Sequence, residues 1–358
     1  MPTTTADRTD STDPAGPTTT SVHPRRRSGT ARAAGLVGAA VALAAICVLS
    51  VSVGAESLSF PQVWRVLWHD DGSNAALIVH NLRVPRTLLG LVVGAALGVA
   101  GTLTQALTSN DLVEPGMLGV NIGASAAVVV GISVFGVTSA SGYVWFALLG
   151  ALLASTGVYL IGIGGRAATA PATLVVAGAA TTAVLGAFVN AILLLDTSTF
   201  DQFRFWDVGS LAVLGSGSLR ATGLFMLAGL LLALPLGRAL NALALGDEAA
   251  QGLGVHVNRS RALGAVAVVL LCGGATAAAG PISFVGLAVP HVARRIVGPD
   301  HRWLLPYSAV LASILLIASD LVGRTIIAPG ELQVGIVTAF VGAPVLILLV
   351  RRARLARA

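Results

Sequence analysis

The sequence predicts an all-α protein, a polytopic membrane bundle of about ten transmembrane helices. Of its 358 residues, 55% are hydrophobic and only 11% are charged, whereas soluble domains carry roughly 25% charged residues. The apolar residues form charge-free blocks of roughly 18–24 residues, the length that a helix needs to cross a hydrocarbon core. Glycine is also abundant, with 42 residues, which favours close packing between membrane helices.

Residues 1–32 are predicted to form a disordered cytoplasmic tail ahead of a membrane domain that covers residues 33–358. The tail is rich in Thr, Pro, Ser and Asp and contains almost nothing that could be buried in a core. Its arginines precede the first apolar block, as in a signal peptide. Because this block of about 20 residues is longer than a usual signal core, we predict an uncleaved first span.

Ten spans follow from the apolar blocks. Their predicted ranges are about 33–53, 87–107, 117–136, 143–163, 171–195, 219–237, 260–280, 284–297, 303–323 and 333–350. With the amino terminus inside, six arginines fall outside (Arg65, Arg83, Arg86, Arg204, Arg220 and Arg324), and the other 16 of the 22 fall inside. The positive-inside rule demands this asymmetry, so both termini are predicted to be cytoplasmic.

Small and polar residues within the spans predict packing inside one bundle. Gly90, Gly94, Gly98 and Gly101 lie at near-regular spacing in the second span, which lets a neighbouring helix approach closely. We favour packing within the chain over a dimerisation role for these glycines. For the polar residues, we favour hydrogen bonds between helices over contact with a substrate. These polar residues are Gln105, Asn121, Asn190 and His291.

Several chemistries are excluded by what the chain lacks. It contains no lysine, so the phosphate-binding loop G-x-x-x-x-G-K-[ST] cannot occur, and any ATP must be bound by another subunit. Cys47 and Cys272 lack the spacing of a metal site. The basic charge is explained by membrane topology and does not indicate nucleic acid. We predict no catalytic residue, no metal and no cofactor, and a stand-alone secondary carrier is the alternative class.

The loop 238–259 between the sixth and seventh spans, which includes "LNALALGDEAAQGLGVHV" (240–257), is amphipathic. Asp247 is predicted to cap a short helix, and Glu248 is well placed against the helix dipole. Gly252 and Gly254 are predicted to end that helix. Its apolar side chains could contact a partner, although a solvated loop is the alternative. These side chains are Leu243, Leu245, Ala249, Ala250 and Leu253.

Three further stretches carry a family resemblance. They are "NLRVPRTLLGLVVGAALGVAGTLTQALTSNDLVEPGMLGVNIGASAAVVV" (81–130), "GPISFVGLAVPHVARRIVGPDHRWLLP" (280–306) and "GELQVGIVTAFVGAPVLILLVRR" (330–352). With the loop above, they resemble the membrane permeases of ABC importers for ferric siderophores, haem and cobalamin, the iron-chelate uptake permease family. One departure is Asn110-Asp111, where the family usually has Asn-Pro. We expect the loss of this proline to relax the turn after the second span.

The resemblance implies a cobalamin-importer-permease-like fold of ten helices, as in type II ABC importers. It also implies partners: a second permease chain (identical or related), two cytoplasmic ATPase subunits that bind ATP, and an extracytoplasmic substrate-binding protein. The chain would then be the permease subunit of an ATP-driven importer of ferric siderophores in the inner (cytoplasmic) membrane. A cobalamin or haem permease remains an alternative.

The resemblance also assigns candidate site residues. In the family, the loop between the sixth and seventh spans couples the permease to the ATPase. The matching residues here are Leu243, Leu245, Gly246, Asp247, Glu248, Ala250, Gly252, Leu253 and Gly254. Arg83, Arg86 and Arg324 match arginines that pair with glutamates of the binding protein, as suits the forked guanidinium group. The alternative is pairing within the chain, for instance of Arg324 with Asp320 one turn earlier.

The segment 196–218 resembles the helix and loop at the outer mouth of the pathway. Phe203, Phe205 and Trp206 are candidate residues of this mouth, and an interfacial aromatic belt is the alternative. We expect the fifth and tenth spans and this segment to line the pathway.

Overall fold

The computed structural model describes residues 29–54, 56, 58–69, 71–163, 171–212, 215–327 and 330–355. Within these ranges the chain is helical with short connections. Its α-helices are α1 (Gly29–Ser52), α2 (Phe60–Trp68), α3 (Asn74–Ile78), α4 (Val84–Thr108), α5 (Val120–Ser133), α6 (Ala140–Ile163), α7 (Pro171–Leu195), α8 (Thr197–Asp207), α9 (Gly215–Ala233), α10 (Gly237–Leu243), α11 (Asp247–Gly252), α12 (Val257–Ala279), α13 (Val285–Val297), α14 (His301–Ile326) and α15 (Val334–Leu355).

Each of the ten predicted spans coincides with a helix, and the all-α membrane fold is confirmed. Among the described residues, seven helical stretches are long and apolar enough to cross a membrane. The three spans below that length are α5, α13 and the apolar part of α15, Val334–Leu348. The count of ten is therefore approximate.

The first helix begins earlier than the sequence predicts. Residues 29–32, which we assigned to the tail, are the first turn of α1. The rest of the predicted tail, residues 1–28, lies outside the described residues.

Helix α4 lies at the centre of the bundle, with 17 of its 25 residues buried. It packs against α9, α12, α13 and α14. Three of its glycines lie so close to backbone atoms of α13 and α14 that a Cβ atom would overlap them, so the glycines pack within the chain, as predicted. These contacts pair Gly94 with Ser313, Gly98 with Ser308 and Gly101 with Gly286.

Polar side chains join the buried helices. The Gln105 amide donates to the Leu287 carbonyl oxygen of α13 at 3.3 Å, and the Thr276 hydroxyl of α12 donates to Asn121 Oδ1 of α5 at 2.9 Å. Both are bonds between helices, as predicted. His291 differs, because its Nδ1 bonds the Leu287 carbonyl oxygen of its own helix at 3.0 Å.

The two ends of the bundle gather different charged groups. At one end, the Asn241 amide of α10 donates to Asp300 at 2.7 Å, and Arg32 lies 3.7 Å from the same carboxylate. Arg86 and Asp320 meet at the opposite end. This division agrees with the two membrane sides to which the arginine distribution assigns these residues.

The turn at Asn110-Asp111 is held by a hydrogen bond and an ion pair, contrary to our expectation of a relaxed turn. Asn110 Oδ1 accepts the Leu112 backbone N–H at 2.9 Å, which is the bond of an Asx turn. Asp111 forms an ion pair with Arg294 of α13 at 2.6 Å. The carboxylate therefore supplies a tertiary contact that proline could not make.

Candidate functional site

The candidate coupling segment, α10 to the start of α12, contains a short helix whose cap differs from the prediction. Gly246, with φ of +99°, occupies the N-cap, and Asp247 is the first residue of α11. The Asp247 carboxylate accepts two hydrogen bonds of 3.0 Å from the Arg261 guanidinium of α12. The predicted capping role of Asp247 is therefore wrong, because its side chain fastens α11 to α12 in a bidentate ion pair. Glu248 remains in the first turn, where the helix dipole favours it.

Only one of the two glycines ends this helix. Gly254 has a φ of +78°, a conformation that glycine adopts without steric cost. The Val255 N–H donates to the Ala250 carbonyl oxygen beside it, as in a glycine-terminated helix. Gly252 is the last helical residue of α11 and is not the exit that we predicted.

The segment has an exposed face and a buried face. Leu245 and Leu253 are 68% and 66% exposed, and Glu248 and Ala249 are exposed beside them. Leu243 and Ala250 instead lie in the hydrophobic core, so the prediction that they contact a partner is wrong in this structure. Leu243 and Ala250 anchor α10 and α11 to the hydrophobic core.

Arg86, Asp320, Arg324 and Glu331 form a charged cluster at the opposite end. We call it the outer cluster because the arginine distribution predicts that this end lies outside. Arg86 donates to both oxygens of Asp320 at 2.8–3.0 Å and to Glu331 at 2.8 Å. Arg324 lies 3.3 Å from Asp320, one turn away on α14, and both side chains are 3% exposed. Pairing within the chain, the alternative for Arg324, is therefore what the structure contains.

Arg83 is also buried. Its guanidinium donates to the carbonyl oxygens of Val51, Ser52 and Glu56 and so joins the end of α1 to the π-helical turn Val79–Arg83. Contact of Arg83 or Arg324 with a binding protein would therefore require these internal bonds to break. Arg86 is the most accessible of the three, since it is 12% exposed against 4% for Arg83 and 3% for Arg324.

The aromatic residues of α8 divide between core and surface. Phe203 and Trp206 are buried in the core, with ring centroids 5.9 Å apart. Phe205 is exposed, and the Arg204 guanidinium lies 4.8 Å from its ring centroid. None of the three lines the large cavity described next, so the structure does not bring these candidates to it. Residues 213 and 214 of the same predicted segment lie outside the described residues.

A cavity of about 1230 Å³ lies among α5, α7, α15 and the connection before α13. The fifth and tenth spans both line it, through residues such as Thr182 of α7 and Phe340 of α15. The segment 196–218 contributes Asp207 and Val208. These are the elements that we expected along a pathway. Other lining residues were missed: Glu114, Asn121, Ser125 and Phe284.

Glu114 is the most unusual group in this cavity. It lies between α4 and α5, and its Oε1 accepts the Phe284 backbone N–H at 2.6 Å, at the N-cap of α13. Phe284 has a φ of +70°, a strained conformation for a bulky residue. Burial raises the pKa of Glu114 to about 7, against the lowering effect of that hydrogen bond. An acid before a proline in an apolar stretch was the available sequence signal.

A second carboxylate, Asp207, lines the same cavity. It accepts a hydrogen bond from the Ser125 hydroxyl at 3.3 Å. Burial raises the pKa of Asp207, which the Ser125 bond partly opposes. The cavity thus combines an apolar wall with two partly desolvated acids.

The sequence is similar to a family of known transport proteins and to individual permeases. The model of the FecCD transport family matches residues 42–352. FepD of Escherichia coli K12, the ferric enterobactin transport system permease protein, is 45% identical over 90% of this chain and 96% of its own. YfiZ of Bacillus subtilis 168, named as a probable siderophore transport system permease protein, is 39% identical over 87% of this chain and 93% of its own.

A solved structure supports the same relationship at the level of the fold. It is described as an inward-facing conformation of a transporter assigned to the metal-chelate type of ABC transporters. It superposes with a TM-score of 0.80 at 28% identity and covers 89% of this chain and 99% of its own. The chain therefore belongs to the FecCD transport family.

Proposed function

We propose that this chain is the membrane permease subunit of an ATP-driven importer of ferric siderophores. The observation that carries the proposal is the 45% identity to FepD over nearly the full length of both chains. YfiZ also carries a siderophore name, so the cobalamin and haem alternatives have weaker support.

The proposed assembly contains a second permease chain, identical or related, two cytoplasmic ATPase subunits and an extracytoplasmic binding protein. The absence of lysine from the sequence supports a separate ATPase, since no phosphate-binding loop can form here. The apolar outer surfaces of α7 and α15, with Val184 69% and Leu348 59% exposed, support a second permease chain beside the cavity. The cargo would then pass along this cavity.

We place the chain in the inner membrane with both termini in the cytoplasm. Single cysteines at two exposed glutamines test this orientation: Gln62→Cys at the start of α2 and Gln251→Cys on α11, in a background without Cys47 and Cys272. An impermeant maleimide should label Gln62→Cys in spheroplasts and Gln251→Cys only after permeabilisation. The reverse order would contradict the orientation.

The exposed face of the coupling segment is proposed to dock in a cleft of the ATPase. Leu245 and Leu253 supply apolar contact, and Glu248 supplies charge. The Asp247–Arg261 ion pair fastens this face to α12. The membrane helices can respond to ATP only if the two nucleotide states of the ATPase bind the segment with different affinities. A ligand shifts a conformational equilibrium by its differential affinity alone.

Docking of the binding protein is proposed at the outer cluster, chiefly at Arg86. Its guanidinium already pairs with the exposed carboxylate of Glu331, and a glutamate of the binding protein could replace that partner. Arg83 and Arg324 would contribute only by exchanging their internal bonds.

A mild-detergent pull-down of the tagged chain, with mass spectrometry and an ATPase assay of the copurified proteins, tests the proposal. We expect an ATPase subunit to copurify and to be lost from Glu248→Arg. Asp201→Arg, which reverses an exposed acid on α8 at the other end, is the control and should retain it. If the chain purifies alone and moves substrate without ATP, the stand-alone carrier is the correct class.

A further inference from the structure

A second cavity lies on the periphery of the bundle. It is a groove of about 340 Å³, within the usual range of ligand sites. Its walls come from α1 between Cys47 and Ser52, α2 between Phe60 and Leu67, and α4 between Val84 and Leu91. No residue of this groove lines the cavity among α5, α7 and α15, so the two sites are separate.

The wall of the groove is almost entirely apolar. Its two hydroxyl groups are satisfied locally, because Ser52 donates to the Val48 carbonyl oxygen and Thr87 donates to the Arg83 carbonyl oxygen, each at 2.8 Å. Covering these hydroxyl groups leaves neither hydrogen unpaired, so they impose little desolvation penalty on an apolar occupant. A polar ligand would find neither hydroxyl hydrogen free to donate to it.

The rim of the groove has the features of a membrane–water interface. Phe60, Trp64 and Trp68 form an exposed stripe along α2, with successive ring centroids 6.4 Å and 6.0 Å apart. Aromatic side chains of this kind concentrate at headgroup level. Arg65 is exposed on the same helix, where it can meet a phosphate group.

The depth of the groove agrees with this placement. It begins beside Arg83, next to the outer cluster, and reaches Leu91 of α4. Eight helical residues span about 12 Å, less than half of a hydrocarbon core of about 30 Å. The groove therefore runs from the polar layer into the acyl region of a single leaflet.

We propose that this groove is a binding site for one phospholipid with an anionic headgroup. One acyl chain occupies the groove between α1 and α4, the rings of Phe60 and Trp64 cover it, and Arg65 binds the headgroup phosphate. The lipid would fill the space between α2 and the bundle and hold this amphipathic helix in place.

Native mass spectrometry of the detergent-purified chain, titrated with phosphatidylglycerol, tests the site. Val48→Phe fills the groove. Leu49→Phe is the control, because Leu49 is the next residue of α1, is 47% exposed against 45% for Val48, and does not line the groove. We expect one retained lipid in the wild type and in Leu49→Phe. Binding to Val48→Phe should weaken by about tenfold, the effect of excluding about two methylene groups from apolar contact.

Charge at the rim is tested separately. Arg65→Gln should weaken phosphatidylglycerol binding by about fivefold, the effect of one arginine near an anionic surface. Arg204→Gln, at an exposed arginine of α8, should leave it unchanged. Equal effects of the two changes would overturn the assignment of Arg65.

Equal lipid retention by Val48→Phe and Leu49→Phe, or none by the wild type, would overturn the proposal. So would a shift from dimer to monomer in Val48→Phe alone, which would make the groove an interface between chains. Should Val48→Phe fail to fold, fluorescence of the wild type decides. The fluorescence component that is missing from Trp64→Phe belongs to Trp64. Brominated phosphatidylglycerol should quench this component at a lower mole fraction of lipid than it needs to quench the other tryptophans. Quenching of all tryptophans at the same mole fraction would contradict the site.

Discussion

Asp320 holds two arginines together where almost no water reaches them. Its carboxylate binds Arg86 in a bidentate manner and lies 3.3 Å from Arg324. Asp320→Asn would leave two guanidinium groups without their buried counter-charge, which typically costs about 3–5 kcal/mol. We therefore expect a large drop in the unfolding midpoint of the purified protein in detergent.

The exposed pair of Asp201 and Arg204, 3.4 Å apart on α8, provides the control for this change. Asp201→Asn removes an equivalent charge from a pair that water screens, and such pairs contribute little. A similar midpoint for the two asparagine variants would mean that the outer cluster does not stabilise the fold.

Glu114 predicts a pH dependence of stability. Its pKa is about 7 in the folded chain against an ordinary value of 4.5, because burial disfavours the charged form. The folded state therefore holds a proton that the unfolded state releases above pH 4.5, and stability falls as the pH rises from there through about 7. Glu114→Gln keeps an oxygen for the Phe284 N–H but cannot titrate. Unfolding midpoints between pH 5 and 8 should fall more steeply in the wild type than in this variant, and parallel curves would contradict the assignment.

Residue contacts were predictable only where they are local. The pairing of Arg324 with Asp320 follows from their spacing of one helical turn. The pairing of Arg86 with Asp320 joins residues 234 positions apart, which no local pattern encodes. The burial of Phe203 and Trp206 was not predictable for the same reason, since aromatic residues are as typical of a membrane interface as of a buried core.

At the scale of helices, α4 owes its central position to residues without side chains. Gly101 contacts the backbone of Gly286, and Gly98 contacts that of Ser308. Alanine at either position forces α4 away from α13 or α14, and overpacking of this kind costs about 1–3 kcal/mol. We expect both variants to unfold at lower temperature.

Gly38→Ala on α1 is the control, because a methyl group there would meet no atom within 4 Å. It should leave the unfolding temperature unchanged or raise it slightly, since alanine favours the helix. A loss of stability equal to that of Gly101→Ala would show that the close approach is not responsible.

Long apolar helices were easier to predict than short ones. The seven helices long enough to cross a membrane were located from blocks of hydrophobic residues, since the bilayer imposes a length on them. The short helices α2 and α3 lie between spans and were not assigned as elements, whereas a helix in the region of α8 was expected only from the family resemblance. The few turns of α2 and α3 are stabilised by tertiary packing and not by their own pattern. Val63 and Val66 of α2 pack with Ala75 and Ala76 of α3, and Val51 of α1 and Val84 of α4 pack against this cluster.

At the scale of the whole chain, the two ends of the bundle have distinct structures joined by α14. One end presents the exposed leucines of the coupling segment, whereas the other holds the outer cluster. Helix α14 begins at His301, beside Asn241 of α10, and carries Asp320 near its far end. A movement of the coupling segment could therefore reach the outer cluster through one continuous helix. The amphipathic loop, the arginine distribution and the family resemblance predicted both ends, but the connection required the fold.

The central claim is tested most directly by uptake of a radiolabelled ferric siderophore into proteoliposomes. These would contain the chain with its permease partner, ATPase subunits and binding protein. The account predicts uptake that requires internal ATP, disappears in Glu248→Arg and persists in Asp201→Arg. Uptake that continues without ATP, or that Glu248→Arg leaves at the wild-type rate, would contradict it.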